Sequence, residues 1–352
     1  MSEEQAPTVA ADRLERFVAD ALRHYDVPEE DANIVAGLMV EADLLGHETH
    51  GVFRLRQYLA RLRDGGCNPK ARVAVVAERP ATAVIDGDDG LGHLAMRAAC
   101  RLAMEKATAC GIGWVGVRSG NHAGPAALYV RPQAQAGMIG MAAAVGSANH
   151  VPPFGGTDLL LGTNPIAIAA PTGGADPFVL DMATTVAAMG KIKTLAQRGE
   201  AMPEGWMVGR DGKPLTDSSR REEGFMLPIG GPKGFGLSVA IGLLAGVLNQ
   251  AAFGSDVIDF TSESQRSSNT GQFVAAIDIA AFGPLDTFTA SVDKAFSEMR
   301  ASEPLPGHAR VRLPGEGKAA LMAERRAKGI ALHASLRKDL DDIAREIGVA
   351  PL

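Results

Sequence analysis

The apolar residues at both ends of this chain recur at helical spacing, whereas its middle consists of short apolar runs broken by glycine. Near the start, "VAADRLERFVADALRHY" carries Leu14, Phe17, Val18 and Leu22 on one helical stripe. "PEEDANIVAGLMVEADLLG" opens with proline and acids, as a helix N-terminus prefers, and stops near Gly46. "THGVFRLRQYLARLRDGG" predicts a third helix, capped by Thr49 and ended by Gly65-Gly66. From about residue 72 the texture changes. "VAVVAE", "ATAVIDG", "IGWVGVRS", "MIGMAAAVG", "PIAIAAP", "PFVLDMA" and "GQFVAAIDIAAF" read as strands. "LGHLAMRAACRLAMEKATACG" reads as a helix among them, and "GFGLSVAIGLLAGVLNQAAFG" as a long buried one. Beyond about residue 286 charged amphipathic helices return. A chain so ordered predicts an α/β fold in which residues 1–72 and 286–352 build one helical lobe around a sheet domain, 73–285.

Composition excludes several function classes. Net charge is −6 with acids and bases mixed, so no basic tract is offered to nucleic acid or a charged membrane surface. Aromatics at 5% supply no stacking platform for bases. Cys67, Cys100 and Cys110 are odd in number and lack a CxxC, which argues against a disulfide framework and fits a reducing cytoplasm. The acidic N-terminus has no apolar signal core, and no apolar run is expected to reach the roughly 20 residues of a membrane span.

Six stretches carry chemistry, each with a plainer reading beside it. "GIGWVG" matches GxGxxG, but a helix precedes it and a strand contains it, the reverse of a dinucleotide fingerprint. A tight turn into a strand accounts for it better. In "SGNHAGPAALY", Asn121-His122 follows a strand, a common place for chemistry, or caps a turn. "GSANHVPPFGGTDLLLGTNPIAIAAP" holds glycine turns whose N–H groups either cradle an anion or only shape loops. "FVLDMATT" puts Asp181 at a strand end, to orient a histidine or to cap the following helix. "LPIGGPKGFG" sets Lys233 among four glycines at a helix entrance, suited to a phosphate or carboxylate, or simply exposed. Lastly, "GHETHGVFRLRQY" spaces its histidines as HExH rather than HExxH, which leaves too few ligands for zinc. His50 and Arg54, at i and i+4, share a helix face, so an acid-base group sits beside a carboxylate anchor. His47 reads as structural.

Taken in order, "DLLGHETHGVFRLRQY", "GNHAGPAALY", "PPFGGTDLLLGTNPIA", "LDMATT", "GKI", "GGPKGFGL" and "RLPGEG" resemble the malate/L-lactate dehydrogenase family of NAD(P)-dependent oxidoreductases. The resemblance runs over nearly the whole chain. It implies a non-Rossmann mixed β-sheet cofactor domain inserted in the helical lobe, NAD or NADP as cofactor, and a homodimer. It also implies roles. His50 with Thr49, His122 and Asp181 are the catalytic candidates, and Arg54, Asn121 and Ser147 the substrate-binding ones. Ser147, Thr163, Asp181, Met182, Ala183, Lys233, Gly315 and Glu316 are the cofactor-binding candidates. The chain departs from the family at Thr49, where serine is usual, at Val145-Gly146 and at Pro232. These departures bear on substrate more than on reaction.

The expectation is a cytoplasmic oxidoreductase moving a hydride between a nicotinamide cofactor and a small 2-hydroxy acid or 2-oxo acid, without metal. Three rivals stand beside it. One is a Δ1-imine carboxylate reductase of the same family. Another is a metal-dependent hydrolase or lyase using His47, His50 and Asp181. The third is a binding protein without catalysis.

Overall fold

The computed structural model describes residues 8–352. Three N-terminal helices form: α1 (Ala11–His24), α2 (Glu29–Leu44) and α3 (Leu55–Asp64). α1 buries Leu14, Phe17, Val18 and Leu22, the predicted stripe. The first turn of α2 carries Glu29, Glu30 and Asp31 at the positive end of its dipole. α3 ends on Gly65, whose φ of 93° is left-handed and cheap only for glycine. The last helix, α10 (Ala334–Ile347), sends Leu340, Ile343 and Ile347 into the same apolar core as α1 and α2. β1 (Thr8–Val9) pairs antiparallel with β11 (Ile330–Ala331), so both ends of the chain close one lobe.

The middle forms a seven-stranded mixed sheet of β2 (Ala74–Glu78), β3 (Thr82–Asp86), β4 (Ile112–Gly120), β5 (Met138–Ala144), β6 (Ile166–Ala170), β7 (Phe178–Met182) and β10 (Thr270–Asp278). Its order is β2-β3-β4-β10-β5-β6-β7, and β3–β4 is the parallel pair. α4 (Gly92–Cys110) makes the crossover that a parallel pair requires. It shares one face of the sheet with α5 (Ala127–Gln135). α7 (Pro232–Ile241) runs on through a π-turn, Gly242–Gly246, and a 3₁₀ turn, Val247–Asn249, against the other face. The glycines of "GIGWVG" serve this sandwich. A Cβ on Gly113 would overlap the Ala103 carbonyl of α4, and one on Gly116 would overlap the Asn249 side chain opposite. They permit close packing on both faces of β4, which is not the work of a dinucleotide fingerprint.

Three features differ from the sequence reading. The helix after Lys233 was expected to be buried, yet Leu237, Leu243, Leu244, Val247 and Leu248 are exposed while Ser238, Ile241, Ala245 and Asn249 face the sheet. Residues Pro232–Asn249 are long and apolar enough to cross a membrane by length and composition alone, but one side of them packs on β5 and β10. An apolar segment without helical periodicity hides which side is covered. Secondly, α8 (Leu285–Arg300) lies on the sheet rather than in the helical lobe. Its Asp293 accepts from Gly173 N, and Phe296 meets Phe178 at 5.9 Å. Thirdly, α6 (Met189–Arg198), β8 (Met207–Gly209) and β9 (Gly224–Met226) form a small unit around Ile192, Met207 and Met226 that no strand pattern announced. The last long helix before α10 is α9 (Lys318–Lys328).

Candidate active site

The predicted helix entrance at Thr49 does not form. Two 3₁₀ turns, Glu48–His50 and Val52–Arg54, meet at Gly51, and α3 starts only at Leu55. The cause lies in α2. The buried Asp43 carboxylate accepts the Val52 N–H at 2.9 Å and fills the space a side chain at position 51 would need. Burial raises the Asp43 carboxyl to about 7. Arg54 therefore does not reach His50 along one α-helical face. Its Nε donates to the Thr49 carbonyl at 2.9 Å and its Nη1 to Gln57 Oε1 at 2.8 Å, which fold the guanidinium back over the turn.

That turn faces the end of β4. His50 and His122 stack with ring centroids 5.6 Å apart, 72 residues apart in sequence but side by side in the fold. Phe260 also stacks on His122, at 5.0 Å. The Tyr58 hydroxyl lies 2.6 Å from His122 Nδ1, and the Gly124 N–H points at the same nitrogen at 3.3 Å. In the neutral ring Nδ1 is thus the acceptor and Nε2 carries the hydrogen. A phenol both donates and accepts, so Tyr58 holds the ring in either protonation state. Thr49 Oγ1 engages His50 Nδ1 at 2.9 Å, and its methyl side packs where Gly190 of "GKI" leaves room. The hydroxyl usual at this position in the family is kept. Burial, then the Arg54 charge, depresses both histidines, His50 to about 3 and His122 well below the ordinary imidazole value. Behind Tyr58, His93 is wholly buried with neither ring nitrogen bonded, and burial lowers it to about 3.

Asn121 was expected to meet substrate, but its amide is bonded within the fold. It is 2% exposed. Nδ2 donates to the Asp89 and Gly90 carbonyls, and Oδ1 accepts from Arg61 and Ser268. Arg61, equally buried, also donates to the carbonyls of Gly66, Glu263 and Arg266. The two residues pin the end of β4 to α3, which fixes where His122 stands.

Beside this cluster lies a cavity of about 250 Å³ lined by His47, Arg131, Asp181, Gly315 and Lys318. Here Asp181 departs from both readings offered for it. Its Oδ2 accepts from Ala127 N at 2.9 Å and so caps α5, not α6, and no histidine bonds to it. The end of β7 meets the start of α5 only in three dimensions. Burial raises the Asp181 carboxyl to about 6. His47, read as structural, lines this cavity, and burial with the nearby Lys318 and Arg131 charges lowers it to about 4. Gly315, with φ 85°, lies against the β7 backbone where a Cβ would come 2.7 Å from Val179 N. Glu316 turns away from the cavity and is held by Arg300 Nε at 3.1 Å and Leu313 N at 3.2 Å, so it shapes the turn. Among the described residues no three His, Cys, Asp or Glu side chains converge as metal ligands.

The remaining candidates sit on stitched turns at one end of the sheet. Gly146 N donates to Asn164 Oδ1, Asn164 Nδ2 to the Ser238 carbonyl, and Thr184 N to the Thr163 carbonyl. Ser147 accepts from Phe260 N at 2.9 Å, which ties these turns to the histidine stack. Met182 ends β7 and Ala183 follows it, and Ile229 N donates to the Thr184 carbonyl just ahead of the exposed Lys233. The departure at Gly146 has a steric cause: Gly146 and Gly162 cross so closely that a Cβ on either would strike the other's backbone. Pro232 occupies the first turn of α7, where its missing N–H costs nothing. Sequence reading passed over Tyr58, Phe260, His93, Arg131 and Lys318. Tyr58 alone had a local signal, four residues beyond Arg54.

Comparison with known proteins bears on this arrangement. A family model described as malate/L-lactate dehydrogenase matches residues 9–341. A malate dehydrogenase of Pyrococcus abyssi is 38% identical, covering 98% of this chain and 96% of its own. An L-sulfolactate dehydrogenase of Methanocaldococcus jannaschii is 39% identical over 95% of each chain. The solved malate dehydrogenase of Pyrococcus horikoshii superposes with a TM-score of 0.90 at 36% identity, covering 99% of this chain and 98% of that one.

Proposed function

The chain belongs to the malate/L-lactate dehydrogenase family, is a dehydrogenase acting on CH–OH of 2-hydroxy acids, and we propose from that premise a nicotinamide-linked reaction carried by His122 and Arg54. The observation that carries this reading is the stacked His50–His122 pair, with the Arg54 charge near enough to depress both rings and its guanidinium held over the adjoining turn. The substrate class we propose is a small 2-hydroxy acid and its 2-oxo partner. Arg54 grips the C1 carboxylate, since a guanidinium fork matches a carboxylate in two parallel hydrogen bonds.

His122 is the group we place at the C2 oxygen. Without substrate, burial and Arg54 keep the histidine pair neutral. A bound carboxylate offsets the Arg54 charge, so the proton affinity of the pair rises only when substrate is present. Tyr58 occupies His122 Nδ1 and so leaves Nε2 as the nitrogen that serves the substrate, while Phe260 stacks on the ring. Proton delivery from a positioned group of this kind is worth about 10² to 10⁴-fold. His50 and Thr49 complete the pocket wall. When bound, NAD or NADP supplies or accepts the hydride. The residues proposed to hold it are Ser147, Thr163, Asp181, Met182, Ala183, Lys233 and Gly315. The fit rests on the unpartnered buried Arg131 Nε, in a residue that lines the same cavity as Asp181 and Gly315.

A homodimer is the assembly we propose. The exposed stripe from Leu237 to Leu248 is uncharged and long, the kind of patch a second copy covers. A reducing cytoplasm is the proposed location, supported by three free cysteines, with burial raising the Cys67 thiol to about 12. The direct test is spectrophotometric. Oxidation of NADH and NADPH is followed with pyruvate, oxaloacetate and piperideine-2-carboxylate, before and after chelation. Turnover of a 2-oxo acid unaffected by chelator is expected. Turnover of the imine alone would move the reaction to the Δ1-imine carboxylate rival, and no nicotinamide-linked turnover would sink the reading.

A further inference from the structure

His122 is surrounded by groups that discourage a proton on it. Burial comes first, then the charges of Arg54 and His50, in the turns before α3, and of His93 on α4. Tyr58, on α3, serves both protonation states, and the Gly124 N–H serves the neutral ring alone. Among the described residues no carboxylate bonds to the ring, the group that ordinarily steadies an imidazolium.

Phe260 is the neighbour that remains. Its ring lies near-parallel to that of His122, with centroids 5.0 Å apart and planes at 22°. An aromatic face carries the negative part of the ring quadrupole and attracts a cation within about 6 Å of its centroid. This ring already serves one cation, since Arg61 Cζ stands over it at 5.5 Å. Phe260 is 3% exposed, so water does little to screen the attraction. The segment that carries it, between α7 and β10, is tied at three points. The Phe260 N–H donates to the Ser147 carbonyl at 2.9 Å, the Gly66 N–H to the Ser264 carbonyl at 3.0 Å, and Ser264 Oγ to Asp64 at 2.6 Å. None of these ties uses the ring, so the ring can be changed without releasing the segment.

We propose that Phe260 is a positioning residue whose π face stabilises the protonated form of His122, in the role of the carboxylate partner this histidine lacks. The inference rests on the reading of His122 as the proton carrier and adds the group that makes its charged form accessible. In reduction of a 2-oxo acid the Nε2 proton passes to the C2 oxygen as hydride from the reduced nicotinamide reaches C2, and the ring returns to neutral. In oxidation the same proton and hydride move back.

The test replaces Phe260 by leucine, which fills the space without a π face, and by pentafluorophenylalanine, which keeps the shape and reverses the quadrupole. Oxaloacetate reduction by NADH and malate oxidation by NAD are followed across pH. Beside them runs an NMR titration of ring-labelled histidines with oxamate present, the His122 signal being assigned from His122→Asn. Both replacements are expected to lower the His122 midpoint by about 0.5–1.5 pH units. Reduction needs the charged ring, so its kcat falls about 3- to 30-fold above that midpoint. Oxidation needs the neutral ring, so its kcat keeps its plateau and extends to lower pH. Equal loss in both directions marks packing and overturns the proposal, as does an unmoved midpoint with pentafluorophenylalanine. If Phe260→Leu does not fold, the fluorinated protein decides alone. A His122→Asn protein that keeps the wild-type kcat defeats the proton reading, and the NMR midpoint then still decides whether Phe260 favours the charged ring.

Discussion

Replacing Tyr58 by phenylalanine removes one oxygen from a residue that is 1% exposed and leaves its ring among His93, His122 and Phe260. The lost contact is the 2.6 Å bond to His122 Nδ1. Only the longer 3.3 Å approach of Gly124 N–H then holds that nitrogen, and it serves the neutral ring alone. A buried neutral hydrogen bond contributes about 0.5–1.5 kcal/mol, and an ionised partner raises this to about 1.5–3 kcal/mol. The ground state therefore loses about 1 kcal/mol of stability. The proton-bearing state loses more, because an imidazolium Nδ1–H would have no acceptor. The difference predicts a fall in kcat of about tenfold, with KM for the acid nearly unchanged since Arg54 keeps both its bonds. The assay is steady-state kinetics against the 2-oxo acid at saturating cofactor, beside urea unfolding of both proteins. A variant that loses stability while keeping kcat would refute the positioning role and leave Tyr58 as packing.

Arg54→Lys keeps the charge and loses the fork, so KM for the acid is expected to rise about 10- to 100-fold while cofactor Kd holds; equal KM would remove Arg54 from the carboxylate. His93 makes the unfolded state the proton acceptor: its folded value near 3 is below the ordinary 6.5, so stability is full above pH 6.5 and is lost as pH falls. Each unit below 6.5 costs about 1.4 kcal/mol, so His93→Leu is expected to gain about 2 kcal/mol on wild type near pH 5 relative to near pH 7.5. Parallel unfolding curves across that range would show that His93 is not buried neutral. Leu244→Glu sets a charge in the exposed stripe and is expected to shift sedimentation from dimer to monomer; an unchanged dimer would place the interface elsewhere.

Much of this protein could be read in one dimension. The helical lobe followed from stripes such as Leu14, Phe17, Val18 and Leu22, because a helix buries whatever recurs at its own period. The sheet followed from short apolar runs bounded by glycine, and the rejection of "GIGWVG" from the order of helix and strand around it. The shared helix face expected for His50 and Arg54 does not form, because Asp43, seven residues before His50, dictates the turn between them.

What the sequence alone determined was periodicity, charge balance and a set of short motifs, since these depend on neighbours a few residues away. Only the tertiary structure decided which motifs meet. It stacked His50 on His122, spent Asn121 on Arg61, gave Asp181 to α5 rather than α6, and left one side of α7 uncovered. It also set Arg131 and Lys318, from separate helices, around one cavity. Each of these is a long-range contact whose partner is chosen by packing, and no local period or capping rule records that choice.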